Sequence, residues 1–126
     1  RSTLFPYTTL FRSPYSGAFP VWLAPEQVLV LPISDPQAAA AHQVATKFRA
    51  AGLRVRVDDG NETLNYRIRS GEVAKVPYMA VIGQREVDEG TLALRIRGAG
   101  KKQDVMPVEA FLERVKEEVR TRALSP

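Results

Sequence analysis

Two arginines and one glutamate near the middle of the chain have the chemistry to bind a polar, planar partner. Residues 91–97, TLALRIR, alternate strictly, so Ala93, Arg95 and Arg97 lie on one face of a predicted strand and the larger aliphatic side chains on the other. Glu86 lies in the segment just before that strand. Arginine offers a fixed fork of donors and glutamate accepts from base amino groups, so this array suits a nucleobase or an anion. The alternative is that both arginines form only the solvated face of an edge strand.

The composition indicates one globular α/β domain. The chain has 126 residues, of which 44% are hydrophobic and 25% are charged, so it is long enough to bury a core. It has no cysteine and a single histidine, His42, which excludes a disulfide framework, thiolate chemistry and a histidine metal cluster. The net charge of +4 is too small to predict nucleic-acid binding by itself.

The motifs of several common enzyme classes are not found in the sequence. It contains no GxxxxGK[ST] loop, no GxGxxG fingerprint and no nucleophile elbow. The segment GAGKK at 98–102 resembles a phosphate loop in composition only, and we interpret it as a turn whose Lys101 contacts a backbone phosphate. The residues alone therefore predict a binding module without a catalyst.

The first half of the chain predicts a parallel strand–helix–strand unit. A buried strand at Val28–Ile33 precedes a helix that begins at Asp35-Pro36 and ends at Gly52, and residues 53–57 alternate like a second strand. A second helix is expected over 62–75, with Asn61 as its N-cap. On this helix we expect the following arrangement: Leu64 and Ile68 inward, Arg67 and Arg69 on the polar side, and Gly71 as a late break.

The second half predicts a hairpin and a closing helix. A strand at Tyr78–Ile82, a polar turn at Gly83–Gly90 and a strand at Thr91–Arg97 follow one another. A short fifth strand is expected near Gln103–Met106. Pro107 then opens a helix with an apolar stripe at 3.6-residue spacing, made of Val108, Leu112, Val115 and Val119.

The N-terminal segment needs a separate interpretation. Residues 1–13, RSTLFPYTTLFRS, resemble the translation of a short-read sequencing adapter, so we expect them to be an artefact and disordered. Residues 14–25 hold three prolines and three aromatic residues, and we expect a linker that is clamped to the domain by Phe19 and Trp22. The domain itself is predicted over 26–124.

Three segments together carry a family resemblance: FPVWLAPEQVLVLPI, RVRVDDGNETLNYRIR and KVPYMAVIGQREVDEGTLALRIR. Their order and spacing resemble the C-terminal anticodon-binding domain of threonyl-tRNA synthetase, a class IIa aminoacyl-tRNA synthetase, and WLAP favours the threonyl over the prolyl, histidyl and glycyl branches. The resemblance implies a three-layer α/β/α domain. Its mixed five-stranded sheet would have the order 2-1-3-4-5 with strand 4 antiparallel, and residues 14–25 would lead from a catalytic domain that is missing here.

The resemblance also implies which residues read RNA. Asn61, Glu86 and Arg95 match the positions that contact anticodon bases, and Arg69 and Arg97 are expected to help through phosphate or base contacts.

Structural alternatives remain open for three of these residues. Asn61 would be only an N-cap, and Glu86 would be only the ion-pair partner of Arg85. Arg69 would be a solvated helix charge. The family has an arginine-rich RxRR where Gly98 interrupts this chain, which places part of the basic surface in question.

The resemblance finally implies partners and cofactors. The intact parent would join threonine to tRNA(Thr) in the cytoplasm as a homodimer, using ATP, magnesium and zinc. This fragment lacks the class II catalytic motifs, so we expect it to bind the tRNA(Thr) anticodon as a monomer with no cofactor. The alternatives are a free-standing RNA-binding module and the same domain of a prolyl enzyme.

Overall fold

The computed structural model describes residues 19–99 and 103–122 and shows one mixed sheet with helices on both faces. The strands are β1 (Val28–Pro32), β2 (Val55–Val57), β3 (Tyr78–Ile82), β4 (Thr91–Ile96) and β5 (Gln103–Pro107). The helices are α1 (Ala38–Ala50), α2 (Leu64–Val73), α3 (Gln84–Glu89) and α4 (Val108–Thr121), and a 3₁₀ turn at Asp35–Gln37 precedes α1.

The sheet has the order β2-β1-β3-β4-β5, in which β1, β2 and β3 are parallel and β4 is antiparallel to both of its neighbours. The predicted topology is therefore confirmed. The strands β1 and β3 are buried at all five positions because they lie in the centre of the sheet with both faces covered. The edge strand β5 alternates between exposed and half-buried residues.

The core is divided between the two faces of the sheet. On one face, α1 and α4 enclose the larger cluster, which includes Phe48, Tyr78, Leu94 and Phe111. On the other face, α2 encloses a smaller cluster that includes Leu29, Leu31, Ile68, Met79 and Ala93. These two clusters are the cores of the predicted three-layer α/β/α arrangement.

The predicted turn at 83–90 is instead a short helix, α3. The Glu86 side chain accepts the Gly83 backbone N–H at 2.8 Å, which satisfies one donor at the helix start. Gly90 then ends the helix in the left-handed conformation, with φ of 68°. Glu86 is thus presented by a helical turn rather than by an irregular loop.

The start of α2 also differs from the prediction. Thr63, not Asn61, is the N-cap, because its side chain accepts the Tyr66 N–H at 3.2 Å. Gly71 does not break the helix. It is buried inside α2, where an added Cβ would lie 2.6 Å from Sδ of Met79, so glycine permits the close approach of helix and sheet.

Residues 19–25 pack on the domain, whereas residues 1–18, which include the expected artefact, lie outside the described part of the chain. Val21 is fully buried, and its carbonyl accepts from the Gln27 side chain at 2.9 Å. Trp22 is half-buried, with the Arg122 guanidinium 5.4 Å from its ring centroid. Within the described ranges, no helix combines the length and the apolar character needed to cross a bilayer.

Candidate nucleic-acid interface

The α2 side of the sheet is only partly covered. The helix α2 packs on β1, and the neighbouring cross-strand pairs of β4 and β5 extend beyond it. Val105, which pairs with Ala93, is 62% exposed, and Gln103, which pairs with Arg95, is exposed as well. We call this side of β4 and β5, together with the outer surface of α2, the open face.

Arg95 lies in a groove of about 370 Å³ on the open face, between the end of α2 and β4. Its side chain is only 12% exposed, and its Nη2 is 3.7 Å from the Glu72 carboxylate, too far for a hydrogen bond. Its Nε is buried and has no hydrogen-bond partner among residues 19–99 and 103–122. The described residues offer this guanidinium an ion pair with Glu72 but no hydrogen bond, so its Nη groups remain able to donate to a ligand in the groove.

Arg97 borders the same groove but is committed to the fold. Its Nη1 donates to the Lys75 carbonyl at 2.9 Å and so ties β4 to the segment after α2. Burial lowers the pKa of Arg97, yet a guanidinium remains charged at neutral pH. Lys75 itself has φ of 59°, the left-handed conformation that usually selects glycine after a helix. Three cations therefore surround this groove.

Asn61 lies at the opposite end of α2, at the carboxyl ends of β1 and β2. Its side chain is exposed and has no hydrogen bond within the ranges that the structure describes, so the N-cap alternative is wrong. It lines a polar crevice that also contains Arg67. The amide of Asn61 is therefore available to a ligand.

Glu86 lies at the carboxyl end of β3, in the first turn of α3. The expected alternative, an ion pair with Arg85, is wrong because Arg85 pairs with Glu89 at 3.6 Å. One oxygen of Glu86 accepts the Gly83 N–H, and among residues 19–99 and 103–122 the other has no partner. The helix start thus orients the carboxylate and leaves one oxygen open.

The predicted base-contacting residues do not form one compact cluster. Asn61 and Glu86 follow the carboxyl ends of parallel strands, whereas Arg95 pairs with Met79, which precedes the end of β3 by three residues or roughly 10 Å. Arg69 is exposed on α2 between these two regions. The arrangement suits an extended ligand with several separated polar groups, such as single-stranded RNA, better than a single small molecule.

Sequence analysis placed Arg67 on the polar side of α2, and this is wrong. Arg67 is 4% exposed and donates to the carbonyls of Pro32 and Asp58, at 2.9 and 2.6 Å. Leu64, Arg67, Ile68 and Gly71 have the spacing of one helical face, and that spacing was the signal that could have identified its burial. Arg67 holds the start of α2 against the sheet and so fixes the position of Asn61.

Comparison with known proteins assigns the chain to a family. A family model described as the anticodon binding domain matches residues 27–118, and the chain belongs to this family. A threonine–tRNA ligase of Thermotoga neapolitana is 46% identical over 110 residues, which are 87% of this chain and 17% of that protein. One from Burkholderia cenocepacia is 47% identical over 107 residues, 85% of this chain and 17% of that protein. The chain thus spans about a sixth of these relatives and corresponds to an anticodon-binding domain of threonyl-tRNA synthetases.

Solved structures agree with this assignment. The RNA-binding domain of threonyl-tRNA synthetase from Cryptosporidium parvum superposes with a TM-score of 0.82 at 26% identity, over 87% of this chain and 28% of that one. A prolyl-tRNA synthetase from the same organism has a TM-score of 0.63 at 23% identity, over 79% of this chain and 23% of that one. The prolyl likeness shows the shared fold alone.

Proposed function

We propose that this chain is the anticodon-reading part of a threonine–tRNA ligase and that it binds the anticodon of tRNA(Thr). The observation that carries the proposal is Arg95, whose guanidinium lines a groove on the open face and forms no hydrogen bond to the described residues. In the proposal Arg95, Asn61 and Glu86 contact base edges, and Arg69 and Arg97 add phosphate or base contacts.

The chemistry of the parent is part of the same proposal. The parent attaches threonine to tRNA(Thr) with ATP, in the cytoplasm and as a homodimer, while this chain is monomeric. The described residues contain no group of three histidine, cysteine, aspartate or glutamate side chains placed to hold a metal. In the proposal, zinc, magnesium and ATP belong to the remainder of the parent, as the family resemblance implies. Light scattering on the chain tests its state, since a dimer mass would contradict the monomer.

The binding proposal is tested by titration of the full chain with two transcripts. One is tRNA(Thr), and the other differs only in the second and third anticodon bases. We expect tighter binding of the native transcript, and Arg95→Ala should remove about 1–3 kcal/mol of that preference because one base contact is lost. Arg120→Ala is the control, since Arg120 lies on α4, on the other side of the sheet, and pairs with Glu117.

Two further results would contradict the proposal. Equal and weak binding of both transcripts, with only a salt-dependent component, would show that the arginines of the open face are merely solvated. Tighter binding of a tRNA(Pro) transcript than of tRNA(Thr) would transfer the assignment to the prolyl branch.

A further inference from the structure

Glu72 is the single acidic residue among the described residues that line the Arg95 groove. It lies in the last turn of α2, and its carboxylate Oε2 is 3.7 Å from Nη2 of Arg95. The other charged residues of the groove are the three cations Lys75, Arg95 and Arg97. A groove that served only to attract the phosphates of RNA would gain nothing from this acid, because the carboxylate lowers the positive charge.

Helix stability does not explain an acid at this position. The carboxyl end of a helix carries partial negative charge, so a glutamate in the last turn of α2 is unfavourable there. That turn contains no basic residue. The side chain of Glu72 is 53% exposed, so water screens its ion pair with Arg95 and the pair contributes little to stability. The ion pair does place a negative charge where it affects what Arg95 can bind.

The carboxylate of Glu72 restricts the class of acceptor that can reach Arg95. An acceptor that binds Nη2 of Arg95 comes close to Oε2 of Glu72, since these two atoms are 3.7 Å apart. A phosphate would bring a second negative charge to this point, and screening of the repulsion is weak because Arg95 is only 12% exposed. A carbonyl or a ring nitrogen has no net charge and avoids this repulsion. The pair therefore favours a neutral acceptor over a phosphate.

We propose that Glu72 is a specificity-determining residue that keeps backbone phosphates away from Arg95 and so reserves this guanidinium for a neutral acceptor. This inference rests on the proposed function, because it takes the ligand to be RNA. Glu72 acts through the charge that it places beside Arg95 and makes no contact with the RNA. It weakens sequence-independent binding, which depends on phosphate contacts, and so increases the preference for a matching anticodon.

The test measures binding of the full chain to two anticodon stem–loops at several salt concentrations. One carries the anticodon of tRNA(Thr), and the other differs in the second and third anticodon bases. Glu72→Gln removes the charge and keeps the shape of the side chain. We expect it to bind the altered stem–loop roughly fivefold more tightly at low salt and to reduce the preference for the native one. The slope of log K against log salt should steepen by about 0.7, the value for one added phosphate contact on a single strand.

Glu117→Gln is the matched control. It changes the net charge equally, and Glu117 is 57% exposed and pairs with Arg120 on the other side of the sheet. This variant should leave the salt slope and the anticodon preference unchanged. A double variant tests whether Glu72 acts through Arg95: in the Arg95→Ala background, Glu72→Gln should no longer steepen the salt slope.

Two further substitutions at position 72 keep the proposal testable if Glu72→Gln does not fold, which urea unfolding would reveal. Glu72→Ala removes the same charge and introduces a good helix former, so it should reproduce the steeper salt slope. Glu72→Asp retains the charge and should keep most of the anticodon preference of the wild type.

Three outcomes separate failure of this inference from failure of the proposed function. If the anticodon preference depends on Arg95 but Glu72→Gln behaves like Glu117→Gln, the role of Glu72 alone is overturned. A steeper slope that persists in the Arg95→Ala background would also overturn it, because the charge would then act without Arg95. A wild-type chain with no anticodon preference would overturn both the proposed function and this inference.

Discussion

The side chains of a single strand have different environments on the two faces of the sheet. On the α1/α4 face, β4 contributes Leu92 and Leu94, which are 0% and 1% exposed in the larger cluster. On the open face, the same strand contributes Arg95, whose buried Nε has no hydrogen-bond partner in the part of the chain that the structure describes. One side of this strand is packed into the core, and the other carries a guanidinium that forms no hydrogen bond to the described residues.

This difference indicates how a small domain combines stability with recognition. Ring contacts on the α1/α4 face are extensive: Phe111 lies 5.5 Å from Phe48 and 5.1 Å from Tyr78 between ring centroids. The α2 face holds a smaller cluster and exposes Tyr66, Val73 and Val105. The larger core lies on one face, so polar groups on the other can remain without hydrogen bonds to the fold, as the proposed RNA contacts require.

The largest change in the free energy of unfolding is expected from a substitution on the α1/α4 face. Phe111→Ala should destabilise the domain by about 3–5 kcal/mol, because it removes a fully buried ring that contacts two other rings. Urea unfolding measures the loss. Val105→Ala on the open face is the control and should stay within about 0.5 kcal/mol of the wild type. Similar losses for both variants would contradict the division between the faces.

The second-largest change in stability tests the close packing of α2 on the sheet. Gly71→Ala should destabilise by about 1–3 kcal/mol, because the new Cβ would lie 2.6 Å from Met79 and 2.9 Å from Leu29. Ser70→Ala, at an exposed site of the same helix, should be neutral or slightly stabilising. If Gly71→Ala raised the urea midpoint, as Gly→Ala does in an open helix, the close packing of α2 would be wrong.

A smaller effect concerns the tyrosine that links β3 to α4. The Tyr78 hydroxyl donates to the Glu118 carboxylate, and Tyr78→Phe should cost about 1–2 kcal/mol at neutral pH. Burial and the Glu118 carboxylate raise the pKa of Tyr78 above its ordinary value of 10.0. The unfolded chain therefore loses this proton first, so its stabilising contribution is present below about pH 10 and decreases as the pH rises further.

Unfolding of Tyr78→Phe at neutral pH and at about pH 11 measures this contribution. Wild-type stability should fall more steeply between these values than that of the variant. Tyr66→Phe, at a site that is 58% exposed, should fall as steeply as the wild type. Equal slopes for all three proteins would show that Tyr78 is not perturbed.

The smallest effect compares two left-handed residues. Lys75→Gly should stabilise the fold by about 1 kcal/mol, since glycine adopts φ of 59° without strain. It should also weaken RNA binding at low salt, because it removes a cation from the Arg95 groove. Arg122, at the end of α4, has φ of 55° and is the matched site. Arg122→Gly should leave RNA binding unchanged, and a loss as large as that of Lys75→Gly would contradict the assignment of the faces.

Sequence patterns predicted the elements whose periodicity extends over several turns or strand residues. The alternation of β4 and the stripe of α4 each repeat often enough to identify the buried face, although the predicted α4 stripe left out Phe111, which is fully buried. The six residues of α3 are too few for a helical period, and the flanking glycines favoured a turn. Thr63 and Asn61 are both favoured N-cap residues and lie two positions apart, so the sequence does not show which of them caps the helix.

The sequence supplied candidate site residues, but not the environments in which the structure places them. The strand pattern placed Arg95 and Arg97 on one face, yet only the packed structure shows that Arg97 is bonded to a backbone carbonyl while Arg95 is not. The burial of Arg67 was not predicted, because a charged residue between apolar positions of a helix was expected to be solvated. Its burial depends on carbonyls at the ends of two strands, which are distant in sequence.

The most direct test of the central claim, that the α2 side and the carboxyl edge of the sheet contact RNA, is an NMR titration. The labelled full chain is mixed with an anticodon stem–loop of tRNA(Thr), and backbone amide shifts are followed. The account predicts the largest changes at the two ends of α2, at the start of α3 and in β5, with α1 and α4 nearly unaffected. Changes centred on α1 or α4 would contradict it.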